Sequence, residues 1–296
     1  MRILPITRER YYWGALGRIP YVPLWCWSRL QQTIKFPASY QVADTCIVTN
    51  GIPRSGTYLV NNIVRGLRRW ENTGIHINPN LWDTWQRDQR PNVYPCLAQF
   101  ALKKLRNGHL VGAHLPWSLK LESVINTPVS DRHIKHIFIN RDPRDTFISY
   151  LNWVTYSERF LSTGGGKSFR KFILEKFSND DERLVYIIRQ GQHDPSVFLG
   201  FEPWLYSDAC LSVTFEKLFL EISGLEFGVI GQELSSIFEY LNIDRKDVDL
   251  QELYKNITGQ SATEIGSYSR VFKEEHYDLI DTPEFRHMLD SFGYTW

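Results

Sequence analysis

The chain has 296 residues, of which 43% are hydrophobic, with a formal net charge of +1. That length buries a sizeable core, and the composition excludes an intrinsically disordered chain. The near-neutral balance excludes a general field for nucleic acid, so any anion site has to be local.

Residues 1–40 are aromatic but broken by charges and prolines, and read as a segment packing on a body that spans the whole of 1–296 as one domain. No apolar stretch reaches signal-peptide or transmembrane length. The expectation is a chain with no integral membrane segment, working in the cytoplasm. Cys26, Cys46, Cys96 and Cys210 lack CxxC spacing, which argues for a reducing compartment and against a disulfide framework or a metal site. The Asn256-Ile-Thr triplet carries no weight without a secretion route. Ten tryptophans and 14% aromatic residues fit either ordinary packing or an aromatic-lined pocket for an organic acceptor. There is no internal repeat, and nothing in the chain reveals its oligomeric state.

The first clear element is the β-branched run "CIVTN", Cys46–Asn50, a predicted strand. It runs into "GIPRSGT" and then into a predicted helix over 57–69, whose apolar Leu59, Val60, Ile63, Val64 and Leu67 fall at helical spacing. Gly51 and Gly56 stand at the spacing of a Walker loop, but Thr57 and Tyr58 occupy the positions of its lysine and hydroxyl. The backbone N–H groups from Ser55 to Tyr58 can still face an anion at a helix N-terminus. Arg54 offers a permanent charge and a planar donor fork. The chemistry implied is anion binding without a metal; the plain alternative is an ordinary strand-to-helix turn.

A second strand is predicted at His109–Leu115 and a third at Lys135–Arg141, which runs into "DPRDTFISYLNWV". There Asp142 suits the N-cap, Pro143 the first turn, and Asp145 completes a capping-box-like pattern. Arg141 at the helix mouth and Ser149 on the helix form a plausible clamp for a second phosphate, with Arg144 paired to a neighbouring carboxylate. Helices are predicted around 168–191, 228–242 and 281–292, and from Glu216 after a fourth strand at Ala209–Phe215. The triplet Gly164–Gly166 reads as a lid or a turn rather than a phosphate cradle. Strands alternating with helices predict an α/β fold: a three-layer sandwich with a central parallel sheet, P-loop-like, with ligands at the carboxyl ends of its strands.

Together, "PRSGT" and "NRDPRDTFIS" strongly resemble the sulfotransferases that use 3′-phosphoadenosine 5′-phosphosulfate (PAPS). The resemblance runs from about 46 to 276. It extends to "AHLPWS", similar to the family's "THLP"; to "VTFEKL", similar to "YEDL"; and to "GSYSRVFKEEH", a degenerate "GDWKxxF". It implies that Pro53, Arg54, Ser55, Gly56, Thr57 and Tyr58 bind the 5′-phosphosulfate, that Arg141 and Ser149 bind the 3′-phosphate, and that Phe215 lies near the adenine. It implies His114 as general base and Arg54 as a transition-state donor, with no metal. PAPS would be the donor, 3′-phosphoadenosine 5′-phosphate (PAP) the product, and a small-molecule hydroxyl or amine the acceptor, with a natural-product tailoring role favoured. Arg54 and Tyr58 depart from the lysine and threonine common in the family. "SAT" stands where "RKG" usually supports the 3′-phosphate, so Arg270 or Lys273 is the substitute. Residues 75–100 and 155–205 are expected to shape the acceptor pocket, with Asp83, Asp88 and Glu158 available to a cationic acceptor. The rivals are a carbohydrate sulfotransferase, a nucleotide kinase and a non-catalytic nucleotide-binding protein on the same fold.

Overall fold

In the computed structural model the chain is described over residues 43–77, 98–99, 102–103, 105–129, 132–161, 166–189, 195–258 and 265–296. The N-terminal segment 1–40, most of the acceptor region 75–100 and Gly164–Gly165 lie outside the described residues.

The β-branched run forms strand β1, Cys46–Gly51, and all six residues are buried, as expected for a strand covered on both faces. Helix α1 follows at Thr57–Gly66, then β2 at Glu71–Ile77, β3 at His109–Ala113, helix α2 at Leu119–Asn126 and β4 at Ile134–Asn140. Helix α3 spans Pro143–Tyr156, α4 Glu158–Leu161, α5 Gly166–Lys176, α6 Asp180–Arg189 and α7 Pro195–Leu199. Strand β5, Leu211–Thr214, leads into α8 at Phe215–Leu225 and α9 at Gln232–Tyr240. The chain continues through α10 at Leu250–Thr258, α11 at Tyr268–Val271, α12 at Glu274–Ile280 and α13 at Pro283–Ser291.

All strand pairings are parallel and the order is β2-β3-β1-β4-β5. Alternate residues of each strand feed two hydrophobic clusters, one on each face of the sheet. Cys46, Val48, Val111 and Phe138 face one way, with Leu151 of α3 and Leu184 of α6. Ile47, Leu110, Ile137 and Val213 face the other, with Val60 of α1, Leu218 of α8, Leu234 of α9 and Leu253 of α10. The result is an α/β fold with a central parallel sheet flanked by helices.

The chain leaves β1 toward β2 on one side and leaves β4 toward β5 on the other. The connections therefore diverge between β1 and β4, the position where open parallel sheets form their ligand crevice. The two anion motifs are the loops that follow these two strands.

Several boundaries differ from the pattern reading. The helix expected over 57–69 ends at Gly66 in a turn, with Arg68 at φ 56°. The helix expected over 168–191 is two, α5 and α6, joined through an Asn179 whose side chain accepts from Glu182 N–H. Helices α2 and α10 and strand β2 had no expectation behind them. In β2 the pairing to β3 shifts: Asn72 faces Leu110, yet His76 faces Gly112. The extra residues form a bulge around Gly74, at φ 68°, which hides the alternation a strand normally shows.

Candidate functional site

The loop between β1 and α1 is held by its own small residues. Gly56 caps α1 at φ 104°, a conformation that disfavours any residue with a Cβ. A Cβ there would also fall 2.9 Å from Cε2 of Phe215. Arg54 lies at φ 74°, strain of a kind that clusters at functional sites and is retained only where the surroundings impose it. Ser55 differs from the expectation of an anion ligand. It is fully buried, its N–H donates to the Ile52 carbonyl at 3.0 Å, and its hydroxyl donates to the Ile139 carbonyl at 3.0 Å. Ser55 therefore fastens the loop to β4. What the loop leaves to an anion is the N-terminus of α1 at Thr57, where the Leu59 N–H already donates to the Gly56 carbonyl at 2.8 Å. Thr57 is buried, Pro53 half-buried and Tyr58 exposed.

The second motif meets the first directly. The Arg54 Nε donates to Ser149 Oγ at 3.2 Å, across 95 residues of sequence. The Arg54 guanidinium also lies 5.4 Å from the Trp153 ring, one turn further along α3. Burial, then the nearby Arg141 cation, lowers the Arg54 pKa to about 10. Arg141 leaves the end of β4 almost wholly enclosed, with its guanidinium 4.4 Å over the Phe215 ring and 3.7 Å from the Asp145 carboxylate. Burial lowers its pKa, while Asp145 and Glu216 act in the opposite direction.

Asp142 caps α3 through the Arg144 N–H at 2.9 Å, but the capping box is not closed by Asp145. The Asp142 N–H donates instead to Glu216 Oε1 at 2.9 Å. Asp145 turns to the C-terminal part of the chain and accepts from Gly266 N–H, Ser267 Oγ and Tyr268 N–H at 2.7, 2.8 and 3.0 Å. Arg144 pairs with Asp142 in a two-point fork at 3.0 and 2.7 Å and lies 4.0 Å over the Tyr268 ring. Glu216 is half-buried, accepts a second bond from the Tyr294 hydroxyl at 2.9 Å, and has its pKa raised by desolvation. Glu216 was not singled out in the sequence because its partners lie 74 and 78 residues away.

Phe215 is 2% exposed, with Gly56 and Arg141 against its ring, so it forms the floor beneath the loop rather than a face open to a base. Arg270 is exposed on α11, next to the segment that Asp145 tethers, and Lys273 pairs with Asp181. Neither is brought to the Arg54–Ser149 contact by any of these interactions.

His114 follows β3 on the other side of β1. Its Nδ1 sits 2.6 Å from the Gly51 carbonyl, the residue that opens the loop, and a carbonyl can only accept. Nδ1 therefore carries the proton in the neutral ring and Nε2 keeps its lone pair. Burial lowers the His114 pKa to about 4, with Arg54 acting in the same direction and the Gly51 bond against it. Asn50 fixes the neighbouring backbone: its side chain donates to the Leu115 carbonyl at 2.9 Å and accepts the Leu115 N–H at 2.7 Å. The Trp204 indole donates to the same carbonyl at 2.8 Å. The site thus combines two arginines, a helix N-terminus and a neutral imidazole aligned with the loop. That donor set suits an anion with two charged groups and a nearby proton to be removed. No group of His, Cys, Asp and Glu that could hold a metal ion occurs among the described residues. No helix among them is long and apolar enough to cross a membrane.

No protein-family model and no curated protein matches this sequence. Similar solved structures include mouse sulfotransferase SULT7A1 complexed with PAP, at 14% identity and a TM-score of 0.45 over 85% of this chain and 90% of that one. They also include retinol dehydratase in complex with androsterone and the inactive cofactor PAP, at 15% identity and a TM-score of 0.43 over 86% and 82%.

Proposed function

We propose that this chain is an enzyme that transfers the sulfuryl group of PAPS to a hydroxyl or amine of a small organic acceptor. The observation that carries the reading is the Arg54–Ser149 bond. It joins the loop that would hold the 5′ end of the donor to the motif that would hold its 3′-phosphate. The residues fit such a group by their chemistry: Arg54 and the first turn of α1 for one anion, Arg141 and Ser149 for the other.

When bound, PAPS supplies an activated sulfuryl group, and the bond broken is the one between sulfur and the bridging oxygen of the 5′-phosphate. His114 Nε2 accepts the acceptor's proton as its oxygen or nitrogen bonds to sulfur, a contribution of roughly 10²–10⁴-fold. The electron pair of the broken bond leaves with PAP, and Arg54 with the α1 N–H groups stabilises the charge that develops there. Gly51 and Asn50 hold His114 in the tautomer and position that this step needs. Charge balance on the donor oxygens is met by guanidinium and backbone N–H groups. Trp153, beside Tyr150 and Phe160, gives an aromatic wall for the acceptor next to Arg54. Cytoplasmic location and tailoring of a natural product remain part of the proposal.

The test is calorimetric binding of PAP without magnesium, with ADP as the control. Tight binding that falls sharply without the 3′-phosphate supports the reading. Equal or tighter binding of ADP overturns it in favour of a kinase or a general nucleotide binder.

A further inference from the structure

The turn that ends α13 does more than stop a helix. Gly293 lies at φ 79°, its N–H donates to the Asp290 carbonyl at 3.0 Å, and the Tyr294 N–H donates to the Leu289 carbonyl at 2.9 Å. Such a pair of bonds around a left-handed glycine reverses the chain at a helix end and fixes the course of the next residue. Here that residue is Tyr294. Its ring packs against the hydrophobic cluster on the α3 side of the sheet, and its hydroxyl donates to Glu216 Oε2 at 2.9 Å. Glu216 stands in the first turn of α8, directly after Phe215, the floor beneath the loop. Its other oxygen, Oε1, accepts the N–H of Asp142 at 2.9 Å, and Asp142 is the residue that follows Arg141. One carboxylate thus joins the end of β4, the start of α8 and the turn after α13. An ionised carboxylate only accepts, and partial burial is tolerated while its oxygens have donors. Burial raises the Glu216 pKa, while the Asp142 amide, the Tyr294 hydroxyl and the Arg141 cation act against that rise.

We propose that Tyr294 is a positioning residue for the second anion of the donor, its hydroxyl holding the Glu216 carboxylate against the Asp142 amide so that the carboxylate does not turn onto the Arg141 guanidinium. The proposal rests on the reading of Arg141 and Ser149 as the 3′-phosphate clamp, but its first measurement does not. Without the hydroxyl, Oε2 loses its donor in a half-buried place, and the carboxylate turns toward the cation that acts on it, Arg141. Two consequences follow. The Asp142 amide loses its acceptor, and Arg141 meets a carboxylate that competes with the phosphate. The first loosens the junction between β4 and α3; the second weakens that one anion contact and leaves the Arg54 side of the site as it was.

The experiment uses Tyr294→Phe, which removes one hydroxyl and keeps the ring in the cluster. The first measurement is hydrogen exchange of the Asp142 amide in the ligand-free full chain. It should quicken by roughly fivefold or more, the equivalent of one hydrogen bond, while the amide of residue 294 keeps its rate because its bond to Leu289 is untouched. The second is calorimetric binding of PAP and of ADP to the wild type, Tyr294→Phe, Glu216→Gln and the double variant. PAP affinity should fall by about fivefold or more in Tyr294→Phe with ADP affinity unchanged, and Tyr294→Phe should add nothing once Glu216 is glutamine. Unaltered Asp142 exchange, an equal loss for both nucleotides, or additive losses in the double variant would each overturn the proposal. A wild type that does not prefer PAP overturns the sulfuryl-transfer reading instead, and the Asp142 exchange then decides the link between Tyr294 and Glu216.

Discussion

Substituting alanine for Gly56 gives a prediction whose size follows from two separable effects. The first is backbone strain, since φ is 104° and an L side chain is disfavoured by about 1–2 kcal/mol there. The second is overpacking, because the new Cβ would overlap the edge of Phe215 and lie 3.4 Å from Ile139 Cδ1. Phe215 has little room to yield, being 2% exposed beneath the Arg141 guanidinium, so the clash adds about 1–3 kcal/mol. Gly228→Ala is the control: φ is 72° and nothing lies within 4 Å of its Cβ, so only strain remains. Urea denaturation of both variants should show Gly56→Ala less stable than Gly228→Ala by about 1–3 kcal/mol at an unchanged m-value. PAP affinity should fall in Gly56→Ala alone, because relieving the clash moves the loop or Arg141. Equal destabilisation of the two variants would refute the claim that Phe215 is the floor of the anion site.

Three further outcomes are expected. His114→Ala should retain PAP binding while turnover drops by about 10²–10⁴-fold; turnover that persists in single-turnover assays would place the base elsewhere. Asp145→Ala should cost about 3–5 kcal/mol in chemical denaturation and release the amides of Gly266 and Tyr268 to hydrogen exchange, because it leaves Arg141 buried beside a lost carboxylate. Acid should destabilise the fold through buried histidines: His136, fully enclosed against Trp204, has its pKa lowered to about 3 by burial, and His114 to about 4. Both folded values lie below the unfolded value, so the unfolded chain binds more protons between them. Stability is therefore full above about pH 6.5 and falls with pH, by about 2 kcal/mol per histidine at pH 5. His136→Phe should flatten that slope in urea titrations between pH 7 and 5.

What the sequence made legible was local. Gly51 and Gly56 mark the loop within a six-residue window: Gly56 takes the left-handed cap against Phe215, and at Gly51 a Cβ would run into Ser55 Oγ and the Ile139 carbonyl. Asp142-Pro143 marks the start of α3 because capping is a short-range bond. His114 was singled out by the likeness of "AHLPWS" to "THLP", again a short window. What stayed hidden was set by distant partners. Asp145 looked like a capping-box residue, but its carboxylate is taken by a segment more than 120 residues away. Ser55 looked like an anion ligand until the Ile139 carbonyl claimed its hydroxyl. Strand β2 was unreadable because its bulge breaks the two-residue period, and the same bulge carries His76 to the site.

The electrostatics of Arg54 and Arg141 explain why anion binding and stability should be coupled here. Each cation opposes the other's charge closely enough to lower the Arg54 pKa, and both have given up much of their hydration to burial. A fold that brings two desolvated guanidinium groups together carries an unfavourable interaction that a hydrophobic pair would not. Asp145 and Glu216 offset it at Arg141, whereas the Arg54 fork meets a neutral hydroxyl and an aromatic ring. An anion placed against Arg54 removes repulsion as well as adding attraction, so its binding strengthens the native state by mass action. PAP should accordingly raise the melting temperature, and the increase should shrink with added salt because the attraction at the loop mouth is partly screened. Arg54→Gln would relieve the repulsion and abolish most of the increase, leaving a ligand-free protein at least as stable as the wild type.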